Sequence, residues 1–418
     1  MAVTSVMKTT NNHELRTTNY QKQSQTKPIL SRPKSRVLSK TAIAVSALSP
    51  YNTPTINMTK RQTQNKSLPE PSLEHLKHLT DDTGIYQHAR HTIPYREEGY
   101  CTDDNARAVM VAAKFYAQYR KPKAIELFNI YLSFIIHSQN GNGSIKNLMS
   151  FDRTWRKDEP GNDALGRVLW ALGMVLAKPP SPVYLPTVKD CFDSSVRLVE
   201  KQSLKGKAYS ILGMANYLKR FPDADNIKKQ METTADGLIA EYEQNNFPDW
   251  HWFDGALTYD NAILPYAFFV VGSALGKKYL NVAEKACEFL LANIFNGSFF
   301  SFIGCHGWYK RGETRAQFDQ QPIEVASTIM MLKAAYGATG NRKYLTLQKK
   351  AFQWFLGEND LHLPLYDYAS KGCHDGLMSN GINPNQGAES TLSFLLSVLT
   401  MTETGAKPTA KTKTKKSR

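Results

Sequence analysis

From about residue 70 this chain alternates between two kinds of helix-forming stretch, and that alternation constrains its fold more than any other feature. One kind is apolar on every side and rich in Ala, Gly and Ser: residues 105–118, 165–177, 208–218, 262–275, 325–338 and 388–400. The other gathers its charges on one face: residues 124–138, 186–200, 226–242, 281–294 and 343–356. A helix that is apolar all round must be buried on every side, whereas a helix with one charged face belongs on an outer layer. Six inner helices with five outer ones between them leave one outer place vacant, and segment 72–79, just before the first inner helix, can fill it. The connections carry little strand signal. The pattern predicts an all-α (α/α)6 toroid of six helical hairpins, with an irregular period of about 50–60 residues. An open solenoid of helix pairs is the alternative, since it shares the helix-pair signature.

Charge divides the chain into a folded part and two tails. Of 418 residues and a net charge of +15, residues 1–69 carry eleven Lys/Arg against the single acid Glu14. Residues 404–418 carry six Lys/Arg and no acid. The tails therefore hold +10 and +6, which leaves −1 for residues 70–403. A nearly neutral folded part has no basic footprint, so no specific nucleic acid is expected as a partner. The expected organisation is a disordered basic tail over 1–69, a toroid domain over 70–403 and a disordered Lys-rich tail over 404–418. The acid-poor first tail also resembles an organelle transit peptide, and Met58 offers a second start. No apolar run reaches the roughly 18–20 residues of a membrane span. Five scattered cysteines, Cys101, Cys191, Cys287, Cys305 and Cys373, argue against a disulfide framework and for a reducing, cytoplasmic location.

The unusual polar residues stand just before or at the start of the inner helices. In a closed ring those helices run parallel, so their N-terminal ends meet at one mouth. The first carries Tyr100, Asp103-Asp104-Asn105 and Arg107; the second, Trp155 and Asp163. The fourth carries Trp252, Asp254, Tyr259 and Asp260, and the fifth Trp308, Tyr309, Arg311, Gln320, Gln321 and Glu324. The sixth carries Gln386 and Glu389, while the third, Lys205-Gly206-Lys207, lacks an acid. Helix capping accounts for any one acid, and best for Asp163. It does not account for acids, amides and tryptophans recurring together. Aromatic rings pack against the C–H faces of sugars, while carboxylates and amides bind hydroxyls, so a concave site of this mixture is a ligand-site candidate.

Glycoside cleavage needs two carboxyl groups, about 5–5.5 Å apart for retention and about 6.5–9.5 Å for inversion. The candidates for such a pair are Asp104, Asp260, Glu324 and Glu389, then Asp103 and Asp254. Glu324 and Glu389 lie about one turn into apolar helices, where burial would raise a carboxyl pKa and suit a proton donor. Asp104 or Asp260 would then be base or nucleophile. Expected sugar-binding residues are Tyr100, Asn105, Arg107, Trp155, Trp252, Tyr259, Trp308, Tyr309, Arg311, Gln320, Gln321 and Gln386. A zinc site is the rival chemistry, built from Cys305-His306, Cys373-His374 and Cys101. Lanthionine cyclases resemble that arrangement, with a Cys-His-Gly step as at Cys305-His306-Gly307. The reading adopted has no metal and no cofactor. P-loop, dinucleotide and nucleophile-elbow motifs are absent from the sequence.

Four runs carry a family likeness: residues 82–89, 99–107, 318–324 and 385–391. They resemble a bacterial branch of the six-hairpin glycosidase superfamily, and the likeness spans 72–402. It implies a toroid fold and glycan metabolism, with mannosides the implied substrates. Such domains also occur behind glycosyltransferase domains and near mannoside phosphorylases, which implies a glycosyltransferase or phosphorylase partner. The leading expectation is a glycoside hydrolase acting on short oligosaccharides. A non-catalytic glycan-binding accessory and a sugar epimerase using His88, His251 or His306 are the alternatives.

Overall fold

Each of the six apolar stretches forms an inner helix, and each amphipathic stretch forms the helix that packs behind it. The computed structural model describes residues 67–157 and 163–403. The expectations for the two tails lie mainly outside the described residues. In chain order the helices are α1 (Glu74–His78), α2 (Thr102–Tyr119), α3 (Pro122–Ser138) and α4 (Ala164–Ala177). Then come α5 (Leu185–Val196), α6 (Leu204–Arg220), α7 (Asp225–Asn245) and α8 (Ile263–Leu275). The last four are α9 (Lys277–Ile294), α10 (Pro322–Thr339), α11 (Lys343–Gln353) and α12 (Ala388–Thr402). Prolines at the first helical positions of α3 and α10 begin those helices where a missing N–H costs nothing. Gly340, in the left-handed region at φ 70°, ends α10.

The even-numbered helices form the ring. Each packs on the next, α2 on α4, α4 on α6, α6 on α8, α8 on α10 and α10 on α12, and α12 packs back on α2. That last contact distinguishes a closed toroid from an open solenoid. The odd-numbered helices pair with their even neighbours, and the short α1 sits on α12 in the vacant outer place. Leu76 and Leu79 anchor α1 with no exposure, and His75 Nε2 meets the carbonyl of Gln386 at 2.9 Å.

The tightest approach is between α4 and α6. A Cβ on Gly166 would lie 2.3 Å from the Gly206 carbonyl, and one on Gly173 2.2 Å from that of Gly213. The two glycines on each helix are seven residues apart, two turns, so both helices present a bare backbone stripe at the crossing.

The connections hold more strand than the sequence predicts. Ten strands of two or three residues make five antiparallel pairs among the described residues, each too short to show a period of two. Two pairs join neighbouring hairpins at the mouth. Strand β3 (Tyr100–Cys101), before α2, pairs with β4 (Leu148–Met149) from the connection leading to α4. Strand β7 (Ala256–Leu257), before α8, pairs with β8 (Tyr309–Lys310), before α10.

Candidate active site

The N-terminal ends of all six inner helices meet in one network of buried charge. At the junction of α2 and α12, Arg107 reaches Asp104 at 2.7 Å and Glu389 at 2.9 Å. One hairpin on, Arg167 at the start of α4 lies between Asp103, at 3.6 Å, and Asp260, at 3.4 Å, and stacks on the Tyr209 ring at 4.2 Å. The Tyr209 hydroxyl of α6 donates to Asp260. Glu324, one turn into α10, accepts the backbone N–H of Asp260, and accepts Asn261 twice, at 3.3 Å from its backbone N–H and 3.1 Å from its side chain. Lys205 at the start of α6 donates to Thr258 at 2.5 Å and lies 3.8 Å from the centre of the Tyr259 ring.

These contacts correct the capping reading. Asp163 makes no cap hydrogen bond to α4; it accepts from the hydroxyls of Ser203 and Tyr259, one hairpin and two hairpins away. The helix caps are instead Cys101 for α2 and Ser203 for α6. The acids at the mouth thus join neighbouring hairpins, because opposite charges and hydroxyls face them across the ring.

Exposure separates the acids into two kinds. Asp104, Asp260 and Glu324 are 5 %, 2 % and 4 % exposed, sealed beneath the surface. Asp103 and Glu389 reach it, with 24 % and 39 % of their side chains exposed. Burial pushes the Glu324 carboxyl up to about 8 and the neighbouring Asp260 charge adds to this, while Lys205 and the Asn261 donors act against it. Burial likewise raises the Asp103 carboxyl from its ordinary value, against the pull of Arg167 and Arg107. Asp254, partly buried near Lys205, is raised by burial too. Burial lowers the Lys205 ammonium, against the charges of Asp254, Glu324, Asp163 and Asp260.

Several residues expected to bind sugar are engaged by other parts of the fold. Trp252 is 1 % exposed and packs on Phe253 and Phe289, so it offers no face to a ligand. Asn105 is fully buried and holds the turn at Ile85 by its N–H, while donating to the Cys101 carbonyl. Tyr100 is 1 % exposed, with its hydroxyl on Asp81 at 2.6 Å. Gln320 accepts from Phe302 and Trp354 and donates to Asp360. Gln386 joins Asp367 and Ser370. A buried amide must satisfy both ends, and these do so within the loops they brace. Trp155 packs on Phe134 and His137 of the outer helix α3. Arg311 lies 3.6 Å over Phe247 and pairs with Asp249, and Tyr309 packs on Trp250.

The residues left at the surface of the network are Tyr259 and Trp308, partly exposed with ring centres 6.4 Å apart, and Gln321 at the head of α10. Asp260, Trp308 and Asp319 adopt left-handed backbone angles, φ 48°, 58° and 64°, a cost that clusters at functional sites. Arg167, Lys205 and Tyr209 were outside the predicted site. The signal for the first two was a cation within three residues of the start of an inner helix. The zinc alternative does not assemble: Cys101 faces Asp104, Cys373 faces the His374 carbonyl and Cys305 faces His306. Among the described residues no group of three or more His, Cys, Asp or Glu is placed to hold a metal. No described helix is long and apolar enough to cross a membrane.

No protein-family model matches the chain, and no curated protein matches it in sequence. Solved structures do match it. A cellobiose 2-epimerase from Spirochaeta thermophila superposes with a TM-score of 0.61 at 11 % identity, over 78 % of this chain and 90 % of its own. A family 76 α-mannanase from Bacteroides thetaiotaomicron superposes at 0.55 and 14 %, over 77 % and 91 %. An α-1,6-mannanase from Salegentibacter, inactivated by replacing two consecutive aspartates with asparagine and bound to α-1,6-mannotriose, superposes at 0.52 and 12 %, over 78 % and 95 %. The chain therefore has the six-hairpin (α/α)6 toroid fold shared by these carbohydrate-processing enzymes.

Proposed function

We propose that the protein is a glycoside hydrolase acting on short oligosaccharides, mannosides among them, with Asp103 as proton donor and Glu389 as base. The observation that carries this is the pair of open carboxyls in a ring of sealed ones. Asp103 is raised by burial yet reaches the surface, which suits a group that must hold a proton and deliver it. Glu389, with 39 % of its side chain exposed, is held by Arg107, the same guanidinium that braces Asp104. In the reaction the proton of Asp103 passes to the glycosidic oxygen as the C1–O bond breaks. Glu389 takes a proton from water, whose oxygen bonds to C1. Tyr259 and Trp308 supply the aromatic surface for the sugar ring. The Salegentibacter enzyme loses activity when two consecutive aspartates are replaced, and Asp103-Asp104 is such a pair at the head of α2.

The test is incubation of the protein with an oligosaccharide panel, with and without phosphate, read by mass spectrometry. Hydrolysis adds the mass of one water across the products. Asp103→Asn and Glu389→Gln are each expected to lower kcat about 10²–10⁴-fold with an unchanged circular-dichroism spectrum. Full activity in both removes them from the mechanism. Binding without any product favours the accessory role.

An epimerase is the second reading. It is favoured by His306, exposed on the loop before α10 with Nδ1 3.1 Å from Asp319, a pair suited to moving a proton at carbon. Epimerisation would leave substrate mass unchanged in water and add deuterium in D₂O.

A further inference from the structure

Arg107, Arg167 and Lys205, the cations of the mouth network, are all engaged, and the network's buried polar atoms that lack a partner are all acceptors. Arg107 and Arg167 each lie between two carboxylates, with side chains 6 % and 5 % exposed. Lys205 is 8 % exposed, bonded to Thr258 and covered by the Tyr259 ring. None of the three presents an open face for a phosphate or a carboxylate. Against these three cations stand Asp103, Asp104, Asp163, Asp254, Asp260, Glu324 and Glu389. Two of these, Asp103 and Glu389, reach the surface, where a ligand would meet them. Three buried oxygens of the network lack a hydrogen-bond donor: Asp103 Oδ1, Asp260 Oδ1 and Asn261 Oδ1. A network short of donors favours a ligand that brings them, and a sugar hydroxyl donates, whereas a carboxylate or phosphate oxygen chiefly accepts.

We propose that this mouth selects uncharged, hydroxyl-rich sugars and turns away uronates, sugar phosphates and inorganic phosphate. The proposal rests on the reading of the site as sugar-processing and names its substrate class. It also makes water, rather than phosphate, the acceptor for a cleaved glycosyl group. Like charges brought together at a desolvated surface oppose binding, and added salt relieves that opposition.

The experiment is calorimetric titration of the full chain with mannobiose and cellobiose, each also as its 6-phosphate and as its terminal uronate. Cleavage is read separately by mass spectrometry. At least one neutral disaccharide is expected to bind at least about tenfold more tightly than its two anionic forms, with a gap that narrows as salt rises. Glu389→Gln, which frees one side of Arg107, is expected to raise affinity for the 6-phosphate about tenfold. Inorganic phosphate at millimolar concentration is expected not to compete. An anionic form that binds as well as its neutral parent overturns the proposal, as does competition by phosphate. Neutral binding without cleavage overturns the hydrolase reading alone, and binding of none of the six overturns both.

Discussion

Glu324 shows how one side chain takes its properties from the fold. Alone, it is a glutamate in the first turn of a helix, where a carboxylate suits the dipole. In the ring it is 4 % exposed and holds the backbone at Asp260 and Asn261, the left-handed turn that aims Asp260 at Arg167. Its carboxyl, raised from 4.5 to about 8, binds a proton in the native state that the unfolded chain releases. Between those two values the native state holds more protons than the unfolded one, so stability falls as pH rises through the window. The expected outcome is a denaturation midpoint that drops from pH 5 to pH 8, with a slope flattened in Glu324→Gln. A flat wild-type profile over that range would show the carboxyl to be ionised throughout. Glu324 and Glu389 were both legible as acids one turn into apolar helices. Which one is sealed and which is open was not, because neighbours from other hairpins decide it.

Among the elements, the α4–α6 crossing makes the sharpest demand on sequence. Gly173 meets the Gly213 carbonyl and Gly166 the Gly206 carbonyl. Backbone cannot turn aside as a flexible side chain can, so Gly173→Ala is expected to destabilise the protein by about 2–3 kcal/mol. Gly237, exposed on α7 with open space where its Cβ would be, is the control. Gly237→Ala is expected to stabilise by about 0.5–1 kcal/mol through helix propensity. Urea denaturation of both variants checks the pair, and equal effects would show that the crossing loosens readily. The Ala, Gly and Ser content of the inner helices announced close packing. The crossing at which it is closest was invisible, because which helices touch is a property of the ring.

For the whole molecule, closure depends on a short piece of chain. Helix α1 has five residues, too few to be stable alone, yet it covers α12 and completes the outer layer. Leu76→Ala removes a fully buried side chain there and is expected to cost about 2–4 kcal/mol. His75→Ala is expected to add to that cost, since its ring meets the Gln386 carbonyl. A loss below about 0.5 kcal/mol for Leu76→Ala, measured by the same denaturation, would show that the ring closes without α1. The hydrophobic period of the sequence alone determined that there are six inner helices, which chain segments form them and that outer helices alternate with them. Burial on all sides can be read from composition, and so can a charged face. The tertiary structure decided the rest. It turned Trp252 and Asn105 inward, drew Arg167, Lys205 and Tyr209 into the site and left Asp103 and Glu389 open to solvent. Each of those outcomes depends on side chains tens to hundreds of residues apart meeting at one mouth. A local pattern carries the period of a helix but not the identity of what faces it across the ring.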